Sequence, residues 1–310
     1  MRKLLTLTAA FIATFSFAFG QDDGDSMLKM LDDGTKTAQK EEVNYTFKTT
    51  RLIDGSTTES LGTGVLDLRI CHRFGRINEG IGNFYGIDNA NTRLGLDYGI
   101  TKCIMIGLGH NVLGKENDGF VKIKILKQRK EGMPITLSFY GGMSIQTIKA
   151  PDLPSPDQKY LFSNRLCYFN QLLIARKFSD RLSLMLMPSI LHCNLVDSAK
   201  YNNNTIALGV GGRIKLSKRV AFTGEYYYRF TGKDNYVGSQ KTYNSLSFGF
   251  DIETGGHVFQ LHITNSPGIS ERVMLGQTTD SWANGDIHYG FNISRVFTIV
   301  KPKEFKKVKK

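Results

Sequence analysis

The feature that most constrains this chain is a series of long segments in which apolar and polar residues alternate. In RLGLDYGITKCIMIGLGH (93–110), Leu94, Leu96, Tyr98 and Ile100 alternate with Arg93, Gly95, Asp97 and Gly99. After a break, Ile104, Ile106 and Leu108 resume the pattern. A period of two is the mark of a strand with a different environment on each face. Alternating or β-rich segments recur at about 64–74, 92–100, 102–110, 119–128, 134–146, 163–178, 181–191, 204–216, 218–230, 242–253, 256–265 and 286–298, twelve in all. Strands of soluble proteins typically run ~5–6 residues, whereas tilted membrane strands need ~9–11. Most of these segments belong to the longer class.

The links between them alternate in length. Short ones at 100–102, 129–133, 179–180, 217 and 254–255 have turn chemistry, as in GITK, KEGMP and ETGGH. Long ones at 75–91, 111–118, 147–162, 192–203, 231–241 and 266–285 are rich in Asn, Asp, Gly, Ser and Pro. Membrane β-barrels have this asymmetry and an even strand count. The expected fold is therefore all-β: a transmembrane antiparallel up-and-down barrel of about twelve strands, with both termini periplasmic. A soluble β-sandwich is the competing fold. After the first twenty residues no run approaches 18 apolar residues, so a membrane crossing has to use a closed barrel.

The two faces separate by charge. In VAFTGEYYYRF, Val220, Phe222, Tyr226, Tyr228 and Phe230 oppose Thr223, Glu225, Tyr227 and Arg229. A charge on the lipid face costs about 2–4 kcal/mol at the midplane, so charged faces are assigned to the lumen. The expected lumen or pore lining is Asp67, Arg69, Arg73, Arg93, Asp97, Lys122, Lys124, Arg213, Lys215, Glu225, Arg229, Asp251 and Glu253, eight basic and five acidic. Antiparallel neighbours should set Asp67 and Arg69 beside Asp97, and Arg73 near Arg93. Phe74, Phe120, Phe178, Phe230, Tyr243 and Phe297, near strand ends, are candidates for interfacial girdles.

Residues 1–20, MRKLLTLTAAFIATFSFAFG, have the layout of a cleaved secretory signal. The expected organisation continues with a periplasmic linker or plug segment over 21–63, the barrel over 64–300 and a basic periplasmic tail over 301–310. An additional strand at 45–53 would make the count odd, which places that stretch in the periplasmic mouth or the lumen. The net charge of +12 is uneven: 22–42 carries −4 and KPKEFKKVKK +5. An exported chain is not expected to bind nucleic acid. Its expected partners are membrane lipid and lipopolysaccharide, and a periplasmic protein docking on 21–63 or 301–310. Cys71, Cys103, Cys167 and Cys193 form no CxxC and are read as small apolar residues, with a cross-strand disulfide as the alternative. The six His show no HxH or HExxH spacing, and LGVGGR at 208–213 lacks a following helix. No catalytic residue, metal or cofactor is therefore expected, and the glycines of LGVGGR are read as aids to close packing or curvature.

At Phe47-Lys48-Thr49-Thr50-Arg51-Leu52, within FKTTRLI, at His72-Arg73-Phe74-Gly75 (HRFG) and at Asp97-Tyr98-Gly99 (LDYGI) the chain resembles a bacterial family of outer-membrane β-barrel proteins of unknown function. The resemblance covers most of the chain after the signal. It implies the barrel and its outer-membrane location, and assigns no functional residue. Two functional readings stay open at this point: a narrow channel for small, anionic solutes, and a structural or interaction barrel with a filled lumen that docks a periplasmic or surface partner.

Overall fold

A computed structural model of the chain describes residues 42–149, 160–197, 200–231, 234–254 and 257–300. The expected signal (1–20), the linker up to residue 41 and the tail over 301–310 lie outside the described residues. Strands β1 (Val65–Arg76), β2 (Ala90–Gly99), β3 (Ile104–Asn111), β4 (Glu116–Leu126), β5 (Thr136–Gln146), β6 (Leu166–Lys177), β7 (Leu182–Cys193), β8 (Asn204–Lys215) and β9 (Val220–Arg229) follow one another around the wall. After a two-stranded ribbon in a loop, β10 (Tyr236–Val237) and β11 (Gln240–Lys241), the wall continues with β12 (Leu246–Thr254), β13 (His257–Thr264) and β14 (His288–Thr298). All neighbours pair antiparallel, and β14 returns to β1, closing a twelve-stranded barrel. Closure leaves no unpaired edge, which is what lets a sheet stand in hydrocarbon.

The alternation of 93–110 is one hairpin of this wall, with Leu96 opposite Leu108 and Asp97 opposite Gly107. Leu94 and Leu108 are 51% and 69% exposed, whereas Arg93 and Asp97 are buried. The apolar stripe thus faces outward, and the charged and glycine stripe faces inward. No helix among the described residues is long and apolar enough to cross a membrane, and the crossing elements are the strands. Five connections at one end are short, and the β1 and β14 ends meet there, where Val300 N–H donates to the Gly64 carbonyl at 3.0 Å. The longer loops lie at the other end.

Some details depart from expectation. The link between β3 and β4 is shorter than expected, because β4 begins at Glu116 and takes in ENDG, residues that read as loop. Phe120 is buried against Tyr140, ring centroids 4.9 Å apart, so it faces the lumen and does not belong to a girdle. Cys167 and Cys193 are opposite each other on β6 and β7, Cα atoms 4.1 Å apart, and form a disulfide. The small-apolar reading fails for that pair, because cross-strand neighbours bring two thiols within bonding reach. Cys71 and Cys103 are unpaired, the first buried and the second exposed in a turn.

The principal core lies inside the barrel. Met105, Phe120, Tyr140, Phe169, Leu173, Met185, Met187 and Tyr227 line one side of the lumen. Phe47 and Leu52 from the segment before β1, and Met274 and Leu275 from the loop after β13, pack among them.

Candidate functional site

Two chain segments enter the lumen from opposite ends. The first, 42–63, starts at the short-turn end, where Val43 N–H donates to the Gln128 carbonyl and Lys127 pairs with Glu42 at 2.5 Å. The Lys127 hydrogen bond and charge hold the Glu42 carboxyl below its ordinary range. The segment then turns back on itself inside the barrel. Leu52 N–H donates to the Gly55 carbonyl and Thr57 N–H to the Thr50 carbonyl, so 52–55 forms the tip. Gly55 is required there: a Cβ would run into the Tyr227 hydroxyl and lie 3.1 Å from a Glu225 oxygen.

The wall grips this tip largely through its main chain. Glu225 accepts from Asp54 N–H at 2.7 Å and Gly55 N–H at 3.1 Å. Gln260 donates to the Leu52 carbonyl at 2.7 Å and Asn292 to the Ile53 carbonyl at 3.0 Å. Lys122 donates to the carbonyls of Thr50, Thr57 and Glu59 at 3.2, 3.0 and 2.8 Å. A buried backbone group without a partner costs about 1–3 kcal/mol, so a segment threaded through a barrel needs such donors and acceptors. Gly211 belongs to the LGVGGR stretch; a Cβ there would come within 2.7 Å of Leu52, so the missing side chain makes room for the inserted segment.

The second segment is the loop between β13 and β14. Ser270 caps a short helix, α1 (Glu271–Gly276), all of whose residues are buried. Arg51 of the first segment and Glu271 of the second meet at 2.8 Å, with 3% and 0% of their side chains exposed. Tyr140 completes the joint: its hydroxyl is 3.0 Å from Arg51 Nη2 and 2.7 Å from the same Glu271 oxygen. Arg73 makes a second joint, pairing with Asp54 at 2.6 Å and donating to the loop carbonyls of Ser266 and Gly268 at 2.8 and 2.5 Å. The two insertions therefore touch in the interior and share two arginines.

The thirteen residues expected to face the lumen all lie on the inward stripe of their strands. Asp67, Arg69, Arg73, Arg93, Asp97, Lys122, Arg213, Glu225, Arg229 and Asp251 are buried, whereas Lys124, Lys215 and Glu253, toward the short-turn end, are half-buried. Asp67 is opposite Asp97, as register arguments require, and Arg69 pairs with Asp67 at 3.0 Å. Arg73 and Arg93 do not meet. Arg93 is opposite Cys71 and reaches past Gly109 of β3 to Asp118 of β4 at 2.5 Å, across a position where any Cβ would strike its guanidinium. Arg213 pairs with Glu253 at 3.0 Å and lies 3.6 Å from Asp251.

The mildly basic lining read from the sequence changes character here. Glu116 and Asp118, unrecognised because they precede the first β-rich residues of β4, also face inward. Counting the two inserted segments, the buried charges are eight Lys or Arg against nine Asp or Glu, so the interior is close to neutral. Near-neutrality is what a packed ion-pair interior needs, since a buried charge without a partner is strongly destabilising. Arg51, Asp54, Glu271, Tyr140, Gln260 and Asn292 were also missed. Their roles depend on which segment fills the lumen, a matter of tertiary contact that no spacing in the sequence encodes.

The chain belongs to a family of membrane-bound β-barrels: residues 47–297 match the family model described as Membrane bound beta barrel domain (DUF5777). The match begins at Phe47, so it includes the inserted segment from that residue onward together with the wall. No curated protein matches the chain. Among solved structures, it is similar to the NanC porin at 12% identity, covering 74% of this chain and 98% of that one, with a TM-score of 0.44. It is also similar to LpxR from Salmonella typhimurium, at 10% identity, 75% and 100% coverage and a TM-score of 0.34. The Pseudomonas putida toluene transporter TodX matches at 15% identity over 67% of this chain, with a TM-score of 0.27, and the chain spans about half of its length, 48%.

Proposed function

We propose that this protein is a non-enzymatic outer-membrane barrel, with both termini in the periplasm, whose lumen is sealed in its resting state. It then serves as an interaction barrel that docks a periplasmic partner, more than as an open pore. The observation that carries this reading is the Arg51–Glu271 joint at 2.8 Å, buried on both sides, where a segment entering from one end meets a loop entering from the other. An open porin keeps a water-filled passage, whereas here wall side chains are committed to the inserted main chain. The barrel class supports the outer-membrane location, since closed transmembrane barrels are the outer-membrane solution. The even strand count and the short turns at the end where β1 begins and β14 finishes support periplasmic termini.

Segment 42–63 enters at that same end, where the exposed Glu42 and its Lys127 partner offer a periplasmic protein a handle on the seal. Planar-bilayer recording with the purified full chain tests the proposal. The expected result is a well-folded barrel without conductance steps, and steady ion-selective steps from the intact protein would overturn it. Deleting 42–60 is expected to produce conductance, because it empties the lumen of the first segment and removes the Arg51 partner of Glu271.

A further inference from the structure

At the long-loop end lies a cavity of about 280 Å³ that is separate from the seal. One wall is the Cys167–Cys193 disulfide, and its floor is the end of α1, where Gly276 packs so closely that a Cβ would come within 2.6 Å of Leu191. Arg272 of α1 faces this cavity and is only 8% exposed. Its Nε is buried with no hydrogen-bond partner, and its one carboxylate contact among the described residues, Nη1 to Glu116, is long at 3.4 Å. With one long carboxylate contact and a side chain that reaches the cavity, the Arg272 guanidinium keeps donor capacity for an anion there.

Other polar groups line the cavity. The side-chain amides of Gln146, Asn164 and Gln277 line it and hydrogen-bond to none of the described residues. Arg165 donates to the Gln146 and Ile148 carbonyls and stacks its guanidinium on Tyr160, 5.1 Å from the ring centroid, with no carboxylate partner among the described residues. Lys149 adds a third cation. Of the acids, Asp197 is engaged by Gly238 N–H, and Glu116 lies behind Arg272. Tyr201 and Tyr236 stack at 5.6 Å and supply an aromatic side to the cavity.

We infer that this cavity binds a small hydroxylated carboxylate of about the size of one hexuronic acid. An arginine fork suits a carboxylate, free amides suit hydroxyls that both donate and accept, and a tyrosine face covers the apolar side of a ring. The volume lies just below that of typical small-ligand pockets, roughly 300–1,000 Å³, which favours one ring over a chain. The site rests on the docked position of α1, which also carries Glu271 of the seal.

The test is calorimetric titration of the detergent-solubilised full chain with sodium glucuronate, and separately with glucose. Saturable one-site binding of glucuronate is expected, with glucose weaker by about tenfold or more because it lacks the charge-assisted hydrogen bonds. Arg272→Gln should weaken glucuronate binding about ten- to a hundredfold. Because that change also strands Glu116, Asn164→Ala and Gln277→Ala, at positions with no other hydrogen bond to lose, provide a second arm and should each lower affinity several-fold while the barrel keeps its folded gel migration. No saturable binding, glucose binding as tightly as glucuronate, or unchanged affinity in both amide variants would each overturn the assignment.

Discussion

Replacing Arg51 by methionine removes the cation at the joint of the seal while keeping an apolar stem of similar reach. In the native interior its Nη1 serves both Glu271 Oε1, at 2.8 Å, and the Asp54 carbonyl, at 2.7 Å, and its Nη2 lies 3.0 Å from the Tyr140 hydroxyl. Without it, Glu271 keeps the Tyr140 hydroxyl as its one hydrogen-bond donor, and its second oxygen is already without a partner. Removing one member of a buried ion pair costs about 3–5 kcal/mol, mostly from the stranded charge. Glu271→Gln takes that charge away, so the double variant should recover about 1–3 kcal/mol relative to the sum of the single changes. Urea unfolding followed by heat-modifiable gel migration measures the global cost. If the seal comes loose before the barrel unfolds, the loss appears as trypsin cleavage after Lys48, whose neighbours Phe47 and Thr49 are buried in the native protein. Additive single effects, or an Arg51→Met variant with native unfolding and native trypsin resistance, would refute the reasoning.

Three further outcomes follow from the same geometry. Gly109→Ala places a methyl in the path of the Arg93–Asp118 pair and should destabilise the barrel by about 1–3 kcal/mol, whereas Gly82→Ala, with nothing within 4 Å, should stay within about 0.5 kcal/mol in the same urea assay. Leu108→Arg puts a cation on the outward face of β3 and should cost about 2–4 kcal/mol if that position is near the midplane, read as reduced refolding into lipid vesicles. Burial raises the Asp286 carboxyl, but hydrogen bonds from the Asn78 side chain and Ser281 N–H outweigh it and hold it below its ordinary range. A depressed acid contributes stability above its unfolded value and loses it on protonation, so the Trp282 turn should loosen as the pH falls below about 4. The single tryptophan reports this by fluorescence, and Asp286→Asn should abolish the transition.

The wall was legible in the sequence because a strand between lipid and lumen has to alternate. Leu94 and Leu96 against Arg93 and Asp97, and Phe222 and Tyr226 against Thr223 and Glu225, leave little freedom in assigning faces. Segments that break this contrast hid part of the interior. In LSLMLMPSILHC both faces of β7 are apolar, so Met185 and Met187 gave no sign that an apolar core lies inside the barrel. Asp118 lies in an Asn-, Asp- and Gly-containing stretch that reads as loop chemistry, which concealed the partner of Arg93.

The seal was the least legible part. Lys122, Gln260, Asn292 and Glu225 bind main-chain atoms of 50–59, so no complementary side chain in FKTTRLIDG marks their partner. Lys48, Arg51 and Asp54 form charge pairs, but their partners Glu253, Glu271 and Arg73 all lie outside the segment. The same limit applies to Cys167 and Cys193, whose pairing follows from the register of two strands and from nothing in their spacing.

Whether 46–58 is held inside the barrel by the wall is read out by amide hydrogen exchange of the full chain in detergent micelles. The amides of Leu52, Asp54, Gly55 and Thr57, each hydrogen-bonded in the interior, are expected to exchange as slowly as those of the neighbouring strands. Exchange of these four amides at the rate of an exposed loop, with the strands still protected, would contradict that placement.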